Sequence, residues 1–157
     1  MSGVVLDLTR IEVAQLIDLV GQFAELVDGA PSMEDPAIER LTPDVYPDDA
    51  EASREFRSVT RSDLLRRRAS DARAVLEDLP RDAQDPSDDA FAPVEITLDP
   101  EHVEAWLRTL AALRLVVASR LGIVTEEDGY DPEDPRYGVY EWLGYRLESL
   151  IQAADAF

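Results

Sequence analysis

The sequence predicts a mainly α protein, in which residues 1–157 form a single helical bundle-like domain with a small two-stranded β-ribbon. Four long stretches carry apolar residues at helical spacing, and two short segments are β-branched and apolar. Capping residues stand directly before several of the helical stretches. A length of 157 residues suits one domain with its own core.

The first unit is a strand followed by a capped helix. The segment 4–8 is short and rich in apolar and β-branched residues, which favours a strand. Thr9 and Glu12 have the spacing of a capping box, in which each side chain satisfies the other residue's backbone N–H. A wide apolar face then predicts a helix over 10–28, which Gly29 ends.

The middle of the chain begins with a proline-rich loop. Residues 30–50 contain four prolines, so we expect a structured loop with one helical turn near 35–41. A short helix is predicted over 50–58. Thr60 resembles an N-cap, and the apolar stripe that follows it predicts a separate helix over 61–79.

Two acidic loops, at about 80–93 and 123–134, are expected to be solvated and mobile, and they define no further domain. Between them, residues 94–98 alternate with period two and predict a second strand. Asp99 then caps the most apolar helix of the chain. The last helix is predicted over 135–154.

An internal echo relates the two strand–cap–helix units, since a shift of 90 residues superimposes 4–8 on 94–98. An isolated strand leaves its edges unpaired and needs a partner. We therefore expect these two segments to pair with each other and the two following helices to pack side by side.

Charge and composition exclude several classes of function. The 15 basic residues, all arginine, and 34 acidic residues give a net charge of −19, which disfavours binding to nucleic acid or to an anionic membrane surface. The sequence contains no cysteine, which rules out disulfides, thiolate metal sites and thiol catalysis within this chain. The apolar stretches are too short to span a membrane, and we expect a cytoplasmic protein.

Catalytic and metal-binding patterns were not found in the sequence. The one histidine, His102, stands in the first turn of a helix and is expected to be exposed and structurally neutral. The acidic runs do not match a calcium-loop pattern, and there is no glycine-rich phosphate loop or nucleophile motif. We expect no enzyme activity, no metal and no cofactor.

One segment departs from the acidic background. Residues 54–73 hold seven arginines and three acids, a local charge of +4. These arginines could pair with the protein's own acids, contact an acidic protein partner or sister subunit, or contact DNA phosphates through the helix 61–73. The candidate partner-binding residues of this segment are Arg57, Arg61, Arg66, Arg67 and Arg68.

The C-terminal helix carries four aromatic residues in two adjacent ridges. They could pack in the core, or part of them could form a partner or homodimer surface, since Trp and Tyr are enriched at interface centres. The candidate residues are Tyr137, Tyr140, Trp142 and Tyr145.

Several stretches resemble an actinobacterial family of unknown function, some members of which are named as an oxidative-stress transcriptional regulator (AosR). The most specific are Tyr46-Pro-Asp-Asp and Trp142-Leu-Gly-Tyr, and the similarity extends over nearly the whole chain. The resemblance implies a single mostly helical domain, often encoded beside the ClpS protease adaptor, without established catalytic residues. A stress role in this cysteine-free chain would have to act through partner binding. The predicted function is a non-enzymatic regulatory or protein-interaction module, with a DNA-contacting regulator as the alternative.

Overall fold

The structure is a computed structural model of the 157-residue chain. It describes residues 3–28, 35–42, 50–84, 89–123 and 133–155. Within these ranges the chain is mainly α, with a two-stranded antiparallel sheet, as predicted. The elements are β1 (Val4–Thr9), α1 (Arg10–Asp28), α2 (Pro36–Leu41), α3 (Ala50–Asp78), a 3₁₀ turn (Arg81–Gln84), β2 (Pro93–Leu98), α4 (Pro100–Leu121) and α5 (Pro135–Asp155).

The two strands pair as the internal echo predicted. They are antiparallel, with Val4 opposite Leu98 and Thr9 opposite Pro93. Val4, Leu6 and Leu8 of β1 and Val94, Ile96 and Leu98 of β2 lie on one face of the ribbon, which covers the helical core, whereas Val5 is exposed on the other face. Because the strands are antiparallel, α1 and α4 leave from opposite ends of the ribbon. The expected side-by-side packing of these two helices is therefore wrong: α1 packs chiefly on α3, and α4 packs chiefly on α3 and α5.

The prediction of two helices in the middle of the chain is also wrong. α3 continues without interruption from Ala50 to Asp78. The sequence contains neither proline nor glycine between these residues, so nothing breaks the backbone hydrogen bonding at Thr60. Ala69 and Ala72 are fully buried in α3, and their small side chains let this helix approach its neighbours closely.

Helix ends follow the capping signals. The Asp99 carboxylate accepts a hydrogen bond of 2.9 Å from the backbone N–H of His102 at the start of α4. At the other end Gly122 adopts a left-handed φ of 77°, and the N–H of Ile123 donates to the carbonyl of Ala118. The N–H of Gly122 also donates to the carbonyl of Ser119 at 3.2 Å, and the two bonds form a Schellman motif. Glycine favours this motif because it has no Cβ to clash in the left-handed conformation.

The first acidic loop is hydrogen-bonded to the start of α1 through residues that the structure describes. The backbone N–H groups of Arg10 and Ile11 donate to the carbonyls of Ala92 and Ala90 at 3.0 and 2.8 Å. Ala83, in the 3₁₀ turn, is buried. This part of the loop therefore supplies acceptors for the otherwise unsatisfied N-terminal N–H groups of α1. Residues 85–88 of this loop and 124–132 of the second loop lie outside the described residues.

The core lies where α1, α3, α4 and α5 meet beneath the ribbon. α4 is central, with α3 on one side and α5 on another, and in the described part of the chain α3 and α5 make no substantial contact with each other. The largest fully buried side chains include Trp106 of α4, Leu16 of α1 and Leu143 of α5. None of the described helices combines the length and hydropathy that a membrane-spanning segment needs.

Candidate functional site

An apolar groove lies between α1 and α5, with α4 as its floor. Its volume is about 390 Å³, within the range of small-molecule and peptide-anchor sites. Aliphatic and phenylalanine side chains make up most of its lining, and several of them are only half-buried. The lining residues are Leu19, Gln22, Phe23, Leu26, Leu113, Val116, Val117, Arg120, Arg136 and Val139.

A carboxylate outside the groove lining joins α1 to α5. Glu12 accepts a hydrogen bond of 2.7 Å from Trp142 Nε1, and two more of 2.7 Å from Nε and Nη2 of Arg146. The same carboxylate accepts from the backbone N–H of Thr9 at 3.1 Å, and Glu12 N–H donates to Thr9 Oγ1. The predicted capping box is thus present, and its acid also anchors α5.

The Glu12 carboxylate is held in its charged form. Burial is the largest single influence and raises its pKa, but the hydrogen bonds from Trp142, Arg146 and the Thr9 backbone together outweigh burial. The pKa of Glu12 therefore lies below its usual value of 4.5. These bonds connect α1 to α5 near Glu12, and the groove lies farther along, at the C-terminal half of α1 and the first turns of α5.

Two arginines line the groove, one from α4 and one from α5, and each forms an ion pair with an aspartate. Arg120 makes a two-pronged ion pair with Asp35, at 2.8 and 2.9 Å. Arg136 pairs with Asp134 at 2.7 Å and also donates to the carbonyl of Arg120 at 3.1 Å. The hydrogen bond from Arg120 lowers the pKa of Asp35, against the effect of burial. Both cations are therefore neutralised locally.

The predicted arginines occupy very different positions. Arg61 is only 5 % exposed, and its Nε donates to Thr42 Oγ1 at 2.7 Å. A partner contact through Arg61 therefore does not fit the structure, because its guanidinium connects α3 to the end of α2. Arg66 is exposed and lies 3.5 Å from Asp63. The side chain of Arg57 is outside the described part.

Two further predicted arginines line a polar cleft between α3 and α4. The cleft has a volume of about 440 Å³ and is lined by Leu64, Arg67, Arg68, Ser70, Asp71 and Arg108. Asp71 accepts two hydrogen bonds from Arg108, at 2.9 and 3.1 Å, and lies 3.7 Å from Arg68. One carboxylate is therefore shared by two guanidiniums. Sequence reasoning did not connect Arg108 with this group.

The four aromatic residues do not form one surface. Tyr137 donates to Glu141 at 2.7 Å, and the guanidinium of Arg114 lies 4.1 Å from the centre of the Tyr140 ring. Trp142 is half-buried against Glu12, whereas Tyr145 is 63 % exposed. α5, which carries these aromatics, and α3, which carries the arginines, both pack on α4 but make no substantial contact with each other among the described residues.

The expectation that His102 is exposed and structurally neutral is wrong. Its Nδ1 lies 2.6 Å from Asp78 Oδ2, and the same carboxylate oxygen accepts from Trp106 Nε1 at 2.9 Å. The hydrogen bond with Asp78 raises the pKa of His102 above 6.5, against the opposing effect of burial. This histidine joins the end of α3 to the start of α4.

The groove was not predicted from the sequence, although the apolar face of α1 indicated it. The apolar face of α1 is wider than one neighbour can cover, and Leu19 and Leu26 are its half-buried edge. The described residues hold no group of three or more His, Asp or Glu side chains placed to bind a metal ion.

The comparisons with known proteins give a family and nothing more specific. The family model described as a domain of unknown function (DUF2017) matches residues 1–154. No curated protein and no solved structure matches the chain. Since the match covers nearly all of the sequence, the chain belongs to the DUF2017 family.

Proposed function

We propose that this protein is a non-enzymatic interaction module that holds a basic amphipathic helix of a partner protein in the groove between α1, α4 and α5. The observation that carries the proposal is the groove itself, an apolar trough of about 390 Å³ bounded by two helices and floored by a third. A helix that lays its apolar stripe into such a trough is a recurrent mode of recognition.

The shape of the groove supports a helical occupant. Glu12 near the start of α1 contacts Trp142 and Arg146 in the middle of α5, whereas the C-terminal half of α1 and the first turns of α5 line the trough, so the two helices run antiparallel along it. Leu19, Val116 and Val139 are half-buried and line it from three different helices. Apolar side chains spaced along a partner helix would bury this aliphatic surface, and that burial supplies the main attraction.

The charge of the protein supports a basic partner. The net charge of −19 attracts cationic segments and speeds their encounter with the protein. Asp18 and Glu25 are exposed on α1 beside the groove-lining Leu19 and Leu26. A partner helix with an apolar face and basic flanks is complementary to both features.

The lining supports binding rather than catalysis. An active site requires converging polar groups around a reacting atom. The polar groups in this lining are Gln22 and two arginines, and both arginines are neutralised by aspartates. A role in transcriptional stress control, exerted through partner binding, is the form of this function that the sequence resemblance suggests.

The arginines of α3 favour a protein partner over DNA. Arg66 and Arg68 are each within ion-pair distance of an aspartate on α3, and Arg73 lies 2.6 Å from Asp28 of α1. Guanidiniums that are neutralised in this way contribute less to the counterion release that drives DNA binding.

A peptide-binding measurement tests the proposal. The probe is a fluorescent synthetic peptide of about 18 residues, or about five helical turns, with leucines at helical spacing and lysines elsewhere. We expect fluorescence anisotropy to show binding to the wild type and at least about tenfold weaker binding to V117D, which places a carboxylate on the groove floor. Q22W, which obstructs the mouth from an exposed position, should weaken binding without removing a core side chain.

The matched controls separate groove binding from charge attraction. V5D makes the same charge change at a site on the ribbon that is 48 % exposed, and it should bind the peptide as the wild type does. A peptide of identical composition with scrambled order should bind much more weakly. Equal binding of both peptides, or unchanged binding by V117D and Q22W, would refute the proposal.

A further inference from the structure

We propose that the cleft between α3 and α4 binds a small phosphate monoester through Arg67, Arg68 and Arg108. The cleft lies on the α3 side of α4 and shares no lining residue with the groove described above. Its volume of about 440 Å³ is in the range of sites for small organic ligands.

The cleft contains more positive than negative charge, in a protein whose net charge is −19. Three guanidiniums line it, against the carboxylate of Asp71 within it and that of Glu104 at 3.6 Å from Arg108. Asp71 is divided between Arg68 and Arg108. Arg67 has no ion-pair partner among the residues that the structure describes.

Concentrated guanidiniums suit a phosphate group. A guanidinium presents planar N–H donors that match phosphate oxygens, and a monoester carries close to two negative charges and three acceptor oxygens near neutral pH. Such a dianion can accept from several arginines at once. Ser70 adds a hydroxyl to the lining, and Leu64 offers apolar surface to the organic part of the ligand.

A compact ligand is favoured over an extended polyanion. The chain as a whole carries a net charge of −19, so it repels a DNA duplex or any other long phosphate chain that extends beyond the three arginines. A single phosphate on a small molecule gains the attraction of the cleft and meets little of that repulsion.

Calorimetric titration with adenosine monophosphate tests the proposal, with adenosine and inorganic phosphate as comparison ligands. We expect the monophosphate to bind, adenosine not to bind, and inorganic phosphate to compete. R67Q should weaken binding by about tenfold, because a charge-assisted hydrogen bond is lost while no ion pair in the described part is broken. R66Q is the matched control: it removes the same charge from the neighbouring residue, which does not line the cleft, and should change binding less than about twofold.

A second variant gives a change of opposite sign. D71N removes the carboxylate that Arg68 and Arg108 share, and should strengthen binding several-fold because both guanidiniums become available to the ligand. Equal weakening by R66Q and R67Q would show only a general charge effect and overturn the proposal. So would an absence of binding by the monophosphate, or binding confined to a DNA duplex or a phosphorylated peptide.

Discussion

Replacement of Glu12 by glutamine should destabilise the protein strongly, because this carboxylate joins α1 to α5. It accepts three hydrogen bonds of 2.7 Å, one from Trp142 and two from Arg146. A hydrogen bond to a charged group contributes roughly 1.5–3 kcal/mol, and contributions within one cluster are not additive. We therefore expect E12Q to lower the free energy of unfolding by about 2–4 kcal/mol at neutral pH.

The pH dependence of this effect has a definite sign. The pKa of Glu12 is lower in the folded protein than its ordinary value of 4.5. Its charged interactions therefore contribute stability above the unfolded-state pKa, and that contribution is lost as the pH falls through the folded-state pKa. The difference in stability between the wild type and E12Q should be largest at neutral pH and should shrink in acid.

Urea unfolding followed by circular dichroism, at neutral pH and at several acidic values, measures both effects. E25Q provides the control, because Glu25 is an exposed glutamate on the same helix, and it should change stability by less than about 0.5 kcal/mol. A free energy of unfolding for E12Q within about 0.5 kcal/mol of the wild type would refute a stabilising role for this carboxylate, and so would a difference in stability that stays constant as the pH falls.

Two further predictions concern a pair of glycines and the histidine. G138A should raise the free energy of unfolding by about 0.5–1 kcal/mol, since no atom obstructs the new methyl group. G144A should not raise it, because its Cβ would lie 2.9 Å from Arg114 Nε. An equal increase in the free energy of unfolding for both variants, measured in urea, would contradict this. Proton NMR should give His102 a pKa above 6.5 in the wild type and a lower pKa in D78N. The stability that this contact contributes is fully present below the unfolded-state pKa and is lost as the pH rises through the folded-state pKa. The same His102 pKa in D78N as in the wild type would exclude the contact.

Local signals predicted most of the secondary structure. The capping box at Thr9, the Asp99 cap and the terminator Gly122 each act within a few residues, so the sequence displays them directly. The error at Thr60 has a local cause too. A residue that resembles an N-cap does not by itself interrupt a helix, and the segment around Thr60 contains no proline or glycine to do so.

The surroundings of the candidate residues could not be predicted from the sequence, because burial and partners depend on distant parts of the chain. Seven arginines in one segment indicated a charged surface, but Arg61 is buried against Thr42 while Arg66 is exposed. Whether an arginine of α3 is buried or exposed depends on the side of the helix on which it lies and on which other helices cover that side. The sequence does not show that Arg108 of α4 completes the cleft with Arg67.

The sequence by itself determined the bounds of α1, α4 and α5 and that the two short strands pair, because capping, helical spacing and unpaired strand edges are short-range or generic requirements. Only the tertiary structure decided what the side chains do. Glu12 and Trp142 are 130 residues apart, and Asp78 and His102 are 24 apart, so their contacts exist only once the helices have packed. The groove and the cleft likewise arise from surfaces that different helices contribute.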